Sequence, residues 1–241
     1  MKPASSPSPR PRRGIVRSVP ALLSRYKLSI ALALGAVVAL YVALQPPEIG
    51  DLSEEHRHYT GELLQSWQEG RVVALMRHLE RCDKYDLPCL TEDPNGLTAR
   101  SRPVGEALRE DFQQLGLEKA IIYNSPLSRT AQTEMLVFGD RGEDRDWLVN
   151  CELDFLDQVL SNKPQDRNLI LVTHSHCINR VQEVLGYDDE DPHYGAVVFL
   201  LPTDLDAPPA AGKRVAGTKP GLRARVLGFL DADDWDATLG F

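Results

Sequence analysis

Three short apolar runs constrain this chain more than any other feature. They are Val72–Met76, Ala120–Tyr123 and Leu169–Thr173, and each gives way to a segment with helical spacing. A run of four to six apolar residues without polar alternation describes a strand buried on both faces, and such strands need helices above and below them. The helical segments supply that cover. Val104, Ala107, Leu108, Phe112 and Leu115 recur at helical intervals and stop at Gly116. PLSRTAQTEMLVFG opens a second helix, with Ser125 or Ser128 as its cap and Gly139 as its stop, and INRVQEVLG ends a third at Gly186. Residues 48–70 read as a helical lead-in, residues 147–156 as a short strand followed by turns, and LDQVLSN as a further helix. GAVVFLLP and RARVLGFL read as late strands, separated by a loose Pro-, Gly- and Ala-rich loop at 203–221. The pattern predicts an α/β three-layer sandwich with a mostly parallel central sheet over residues 48–241.

The head of the chain differs from this body. Its first 47 residues carry seven basic and no acidic side chains, against a net charge of −8 for the whole chain. Residues 1–27 predict a basic, disordered tail, and Leu28–Leu44 an uncharged apolar helix. Read as a signal anchor, that helix places the tail in the cytoplasm and the acidic domain across the inner membrane, in the periplasm. A cleaved signal peptide and a buried core helix are the alternatives. The surplus of acidic side chains in the body excludes general affinity for nucleic acid, because phosphate counterions are displaced by Lys and Arg. Four cysteines, Cys82, Cys89, Cys151 and Cys177, all lie in the body. In an oxidising compartment they allow three pairings, of which Cys82–Cys89, closing a small loop, with Cys151–Cys177 is the simplest. A zinc site or buried free thiols are the competing readings.

In open α/β sheets the ligand site lies at the carboxyl ends of the strands. The first run leads into Arg77, His78, Leu79, Glu80 and Arg81; the second into Ser125, with Arg129 one turn on; the third into His174, Ser175 and His176. Guanidinium forks bind phosphate oxygens in pairs, a neutral imidazole can attack phosphorus, and a helix start near Ser125 presents backbone N–H groups. This is the set that a phosphate monoester site requires.

RHLER at 77–81, SPLSRTAQT at 125–133 and VTHSH at 172–176 together resemble the signatures of the histidine phosphatase superfamily, which has a phosphoglycerate mutase-like fold. The resemblance implies a hydrolase of phosphoric monoesters, of the acid phosphatase type. His78 would become phosphohistidine. Arg77, Arg81 and Arg129 would hold the phosphoryl group, with Ser125 and His176 nearby, and His174 would stabilise the transition state. Glu152 or Asp154 would protonate the leaving alkoxide, with Glu80 a weaker candidate. No cofactor or metal is implied. The chain departs from the family at Leu79, where glycine is usual, which puts the shape of the pocket in question. RHLERCDKYDLPCLTEDPNGLT and THSHC further resemble exported members acting on the lipopolysaccharide core, which implies a phosphorylated sugar or glycolipid as substrate and contact with the membrane through the N-terminal helix. A phosphoglycerate mutase-like transferase and a non-catalytic phosphoglycan-binding envelope protein are the alternative functions.

Overall fold

The computed structural model describes residues 20–54, 56–85, 87–188, 191–203 and 224–240. Residues 1–19 of the expected tail and residues 204–221 of the expected loop lie outside them; the rest of that tail, residues 20–27, is helical where disorder was expected. The chain divides into two compact units, Met1–Gln45 and Pro46–Phe241.

The described residues of the first unit form a helix, α1 (Pro20–Leu44). It starts at a proline, a residue suited to the first helical position, ahead of the apolar run. Its side chains Ile30, Leu34, Val38, Tyr41 and Leu44 are all exposed. Among the described residues no helix is long and apolar enough to cross a membrane. This gives no support to the expected inner-membrane anchor. The uncharged part of α1 begins only after Lys27, and its 17 residues rise about 25 Å, short of a hydrocarbon core of about 30 Å.

The second unit is built on a six-stranded sheet of order β3-β2-β4-β1-β5-β6. The strands are β1 (Val73–Arg77), β2 (Ala120–Asn124), β3 (Glu143–Asp144), β4 (Asn168–Thr173), β5 (Val197–Pro202) and β6 (Ala224–Leu230). β1, β2, β3 and β4 run parallel, while β5 and β6 are antiparallel additions. The helices are α2 (Thr60–Gln68), α3 (Ser101–Leu115), α4 (Ser128–Phe138), α5 (Trp147–Asn150), α6 (Phe155–Ser161), α7 (Ser175–Leu185) and α8 (Trp235–Leu239).

Two cores cover the two sheet faces. Ala74 and Met76 of β1, Ile170 and Val172 of β4 and Phe199 of β5 meet Trp67, Leu108, Phe112, Leu136 and Trp235 on one side. Val73, Leu75, Leu169, Leu171 and Leu200 meet Leu148, Phe155, Val159, Ile178 and Val181 on the other. Alternate residues of one strand thus serve opposite cores, which is why these strands lack polar alternation. α7 ends at Gly186 in the left-handed region (φ 84°), where its amide bonds back to the last turn. Buried Asn168 ties the sheet's opening edge together. Its Oδ1 accepts from Val72 N–H at 2.9 Å, and its Nδ2 donates to the Trp67 carbonyl at 2.8 Å.

Two expectations differ locally, and one strand was not expected. Trp147–Asn150 is a helical turn where a strand was expected. The segment lies over β4, with the Leu148 carbonyl accepting from Thr173 Oγ1 at 3.1 Å, so only Leu148 needs to be deeply buried. Neither Ser125 nor Ser128 caps α4; Leu127 holds that position and no side chain caps it. β3 consists of two exposed acidic residues with no apolar signal, docked on β2 through Asn124 Nδ2 and Asp144 Oδ1 at 2.6 Å.

Cys82 is joined to Cys89 and Cys151 to Cys177, with Cα separations of 5.3 Å and 5.1 Å. Non-reducing peptide mapping of the purified protein should recover these two linked pairs; four free thiols would refute them. Loop closure makes the Cys151–Cys177 link the more stabilising. Its removal by paired serine substitution should cost about 3 kcal/mol in urea unfolding, against about 2 kcal/mol for Cys82–Cys89.

Candidate active site

The sheet register sets the site. β1 and β2 both flank β4 in parallel, pairing Arg77 with Thr173 and Asn124 with Val172. One residue on, His78 N–H donates to the Thr173 carbonyl and Ser125 N–H donates to the Val172 carbonyl, each at 3.0 Å. The first residues past three strands are therefore held side by side. His174 follows β4 with an extended backbone and begins α7 as its N-cap. The His78 and His174 rings meet edge to face, their centroids 5.4 Å apart. Both are buried.

Hydrogen bonding sets the tautomer of His78. Its Nδ1 lies 2.7 Å from the Leu79 carbonyl oxygen, which can only accept. Nδ1 therefore carries the proton, and Nε2 is left with a lone pair. His174 Nε2 pairs with Ser125 Oγ at 3.0 Å, while its buried Nδ1 has no hydrogen-bond partner among the described residues.

The charges that act most strongly on these rings are positive. Burial pushes His78 down to about 3; its bond to Leu79 opposes this, and the guanidinium groups of Arg129, Arg77 and Arg81 add smaller downward effects. His174 is also pushed far down, by burial first and then by His78, Arg129, His176 and Arg81. Both imidazoles are neutral at physiological pH. Burial and Arg81 also lower Arg129, with Asp83 opposing. Arg77 donates to the Pro192 carbonyl and sits 4.0 Å from the centroid of the Tyr194 ring. Arg81 is paired with Asp83. The buried Nε groups of Arg77 and Arg129 have no hydrogen-bond partner among the described residues. Buried donors without acceptors are costly, and an oxyanion is the ligand that would satisfy them.

The structure thus brings together His78, His174, Ser125, Arg77, Arg81 and Arg129. It treats the other expected residues differently. His176 is exposed; it stacks on His174 with centroids 5.4 Å apart, and its Nε2 contacts the Val149 carbonyl at 3.0 Å. Glu152 and Asp154 are exposed in the turn between α5 and α6. Among the described residues, no hydrogen bond or ion pair ties either to the histidines or arginines of the site. Glu80 is bound by Arg100 and by Thr98 Oγ1, which hold its carboxyl below the usual range and suit it to orienting rather than proton donation. Leu79 is buried in the core against α3 and α4, its backbone N–H donating to Thr133 Oγ1 at 3.0 Å. Its bulk fills the interior, so the departure from glycine bears on packing. Cys151, His176 and Cys177 gather three donor atoms within 4.8 Å, but both sulfurs are committed to a disulfide.

Two contributors were not anticipated from the sequence. Tyr194 stacks on His78, with centroids 5.6 Å apart, as well as on Arg77. Asp83 balances Arg81. An aromatic residue just before a buried strand was the only signal for Tyr194. Asp83 sits in a polar turn with none.

No protein-family model matches the chain. The chain is 31% identical over 130 residues to lipopolysaccharide core heptose(II)-phosphate phosphatase of Salmonella typhimurium, and equally to that of Salmonella typhi. The match covers 51% of this chain and 62% of those relatives, so it spans less than two thirds of their length. Among solved structures, alpha-ribazole phosphatase from Shigella flexneri superposes with a TM-score of 0.44 at 16% identity, covering 55% of this chain and 91% of that one. Mycobacterial glucosyl-3-phosphoglycerate phosphatase gives a TM-score of 0.40 at 14% identity, covering 55% and 90%. In sequence, the chain is similar over part of its length to lipopolysaccharide core heptose(II)-phosphate phosphatase, and the solved structures that superpose on it carry the names of phosphatases.

Proposed function

We propose that the domain hydrolyses a phosphomonoester through a phosphohistidine at His78. The observation that carries this reading is a buried, neutral imidazole whose free Nε2 lone pair sits among three guanidinium groups. Nε2 attacks phosphorus and forms the N–P bond as the P–O bond to the leaving alcohol breaks. Glu152 or Asp154 supplies the proton to the departing oxygen. Water, giving a proton back to that carboxylate, then attacks the phosphohistidine, releases inorganic phosphate and returns the electron pair to Nε2. Arg77, Arg81 and Arg129 neutralise the equatorial oxygens, and His174, set by Ser125, donates to one of them.

The likeness to a lipopolysaccharide core heptose(II)-phosphate phosphatase supports a sugar phosphate of that core as substrate, and hence a place in the cell envelope. Two disulfides favour an oxidising space such as the periplasm. The basic residues followed by the apolar α1 suit an export signal. The exposed positions of Glu152 and Asp154, with no hydrogen bond or ion pair to the imidazoles among the described residues, favour one second reading, a module that binds phosphorylated glycan without cleaving it.

The purified protein should release phosphate from an aryl phosphate, and His78→Ala should lower kcat by at least about a thousandfold. Brief exposure to phosphorylated substrate should leave an acid-labile label on His78. Stoichiometric binding with no label and no turnover would establish the binding-only reading instead.

The depressed His78 also predicts an acid-sensitive fold. In the unfolded chain this histidine takes up a proton near pH 6.5, whereas in the folded protein it resists protonation down to about 3. The unfolded state binds more protons within that window, so stability falls as pH drops from about 6.5 toward 3. Urea unfolding of His78→Asn should show a smaller loss between pH 7 and pH 4.5 than the parent protein does. An equal loss would place the cause elsewhere.

A further inference from the structure

Tyr194 touches both the expected nucleophile and an arginine of the site. Its ring centroid lies 4.0 Å from the Arg77 guanidinium carbon and 5.6 Å from the centroid of the His78 ring. The backbone brings it there. Arg77 N–H donates to the Ala196 carbonyl at 3.0 Å, Gly195 N–H donates to the Arg77 carbonyl at 3.2 Å, and Ala196 N–H closes a turn onto the His193 carbonyl at 3.1 Å. Gly195 makes that turn in the left-handed region (φ 82°), where a Cβ would stand 3.0 Å from Leu79 Cδ2. Two residues before Tyr194, the Pro192 carbonyl accepts from the Arg77 guanidinium. One short segment thus holds Arg77 by its backbone and by its side chain. Tyr194 does not serve to fill the interior: it is half-buried and is not among the residues of either core. Its hydroxyl has no hydrogen-bond partner among the described residues, so the ring face makes its contacts.

We propose that Tyr194 is a positioning residue, whose ring face holds the Arg77 guanidinium for the phosphoryl group and confines the His78 ring. This role rests on the reading of the site as a phosphomonoester pocket. A cation is attracted to the face of an aromatic ring, more strongly where water is excluded, and the ring carries no charge of its own. Arg81 shows the alternative. It is held by the carboxylate of Asp83, which competes with an incoming oxyanion for the guanidinium. Arg77 makes no ion pair among the described residues, and its buried Nε has no hydrogen-bond partner there. Tyr194 therefore restrains Arg77 while leaving its full charge to an oxyanion. On His78 the ring adds a second restraint to the bond between Nδ1 and the Leu79 carbonyl, so fewer orientations of the imidazole compete with the attacking one.

Titration calorimetry of the full chain in non-ionic detergent, with inorganic phosphate as the probe, tests the role alongside turnover of an aryl phosphate. Tyr194→Leu should weaken phosphate binding about tenfold and lower kcat/KM by more than that, because it frees both Arg77 and His78. Since Tyr194 lies outside the cores, the urea midpoint of this variant should stay at that of the parent. Tyr194→Phe keeps the ring face and should restore both binding and turnover. Tyr194→Met fills similar space without an aromatic face; it should behave as Tyr194→Leu does, and provides the test should that variant not fold. In an Arg77→Ala background, Tyr194→Leu should change phosphate affinity by less than about twofold, because no guanidinium remains to be held. A merely structural role would carry the full loss into that background. The proposal is overturned by a parent that does not bind phosphate, by unchanged binding in Tyr194→Leu and Tyr194→Met, by a loss in Tyr194→Phe equal to that in Tyr194→Leu, or by an undiminished loss in the Arg77→Ala background. A parent that binds phosphate but hydrolyses nothing would instead overturn the hydrolase reading, while the binding measurements still decide the role of Tyr194.

Discussion

Two backbone hydrogen bonds organise everything chemical in this protein: His78 N–H to the Thr173 carbonyl, and Ser125 N–H to the Val172 carbonyl. They extend the parallel ladders of β1 and β2 on β4 by one residue beyond the strands. A one-residue slip would turn each strand's inward face outward and separate the two imidazoles. The register is protected because both faces of β1 and β4 are buried, so any slip would expose apolar side chains from two cores at once.

The same burial governs the electrostatics. A buried sheet end disfavours charge on His78 and His174, and the nearby guanidinium groups disfavour it further. The result is a pair of neutral rings in a positive environment within an acidic chain. Neutrality leaves a lone pair on His78 Nε2, and the positive surroundings favour an incoming oxyanion. In the proposed reaction, one set of contacts serves the attacking atom and the group it attacks. The disulfide from Cys151 to Cys177 pins the start of α7, three residues past His174, to the end of α5.

Much of this was legible in the sequence. The strands β1, β2 and β4, the helices α3 and α7 and their glycine stops follow from apolar spacing, since spacing reports which side of a segment faces the core. Arg77, His78, Ser125, Arg129 and His174 were legible because the ends of parallel strands are where such sheets present ligand-binding groups. Elsewhere local patterns misled. Trp147–Asn150 has strand-like residues, yet it coils as a short helical turn over β4.

The sequence by itself determined the layered α/β class, the identity of the strands and the residues stationed at their ends. Burial periodicity and strand polarity are properties of local segments. Only the tertiary structure decided which of those residues converge. It turned Leu79 into the core, bound Glu80 to Arg100, set Ser125 against His174 where a helix cap was expected, and laid Tyr194 over Arg77 and His78. Those contacts join residues up to about a hundred positions apart or more in the chain. They depend on strand order and register, which no local pattern encodes.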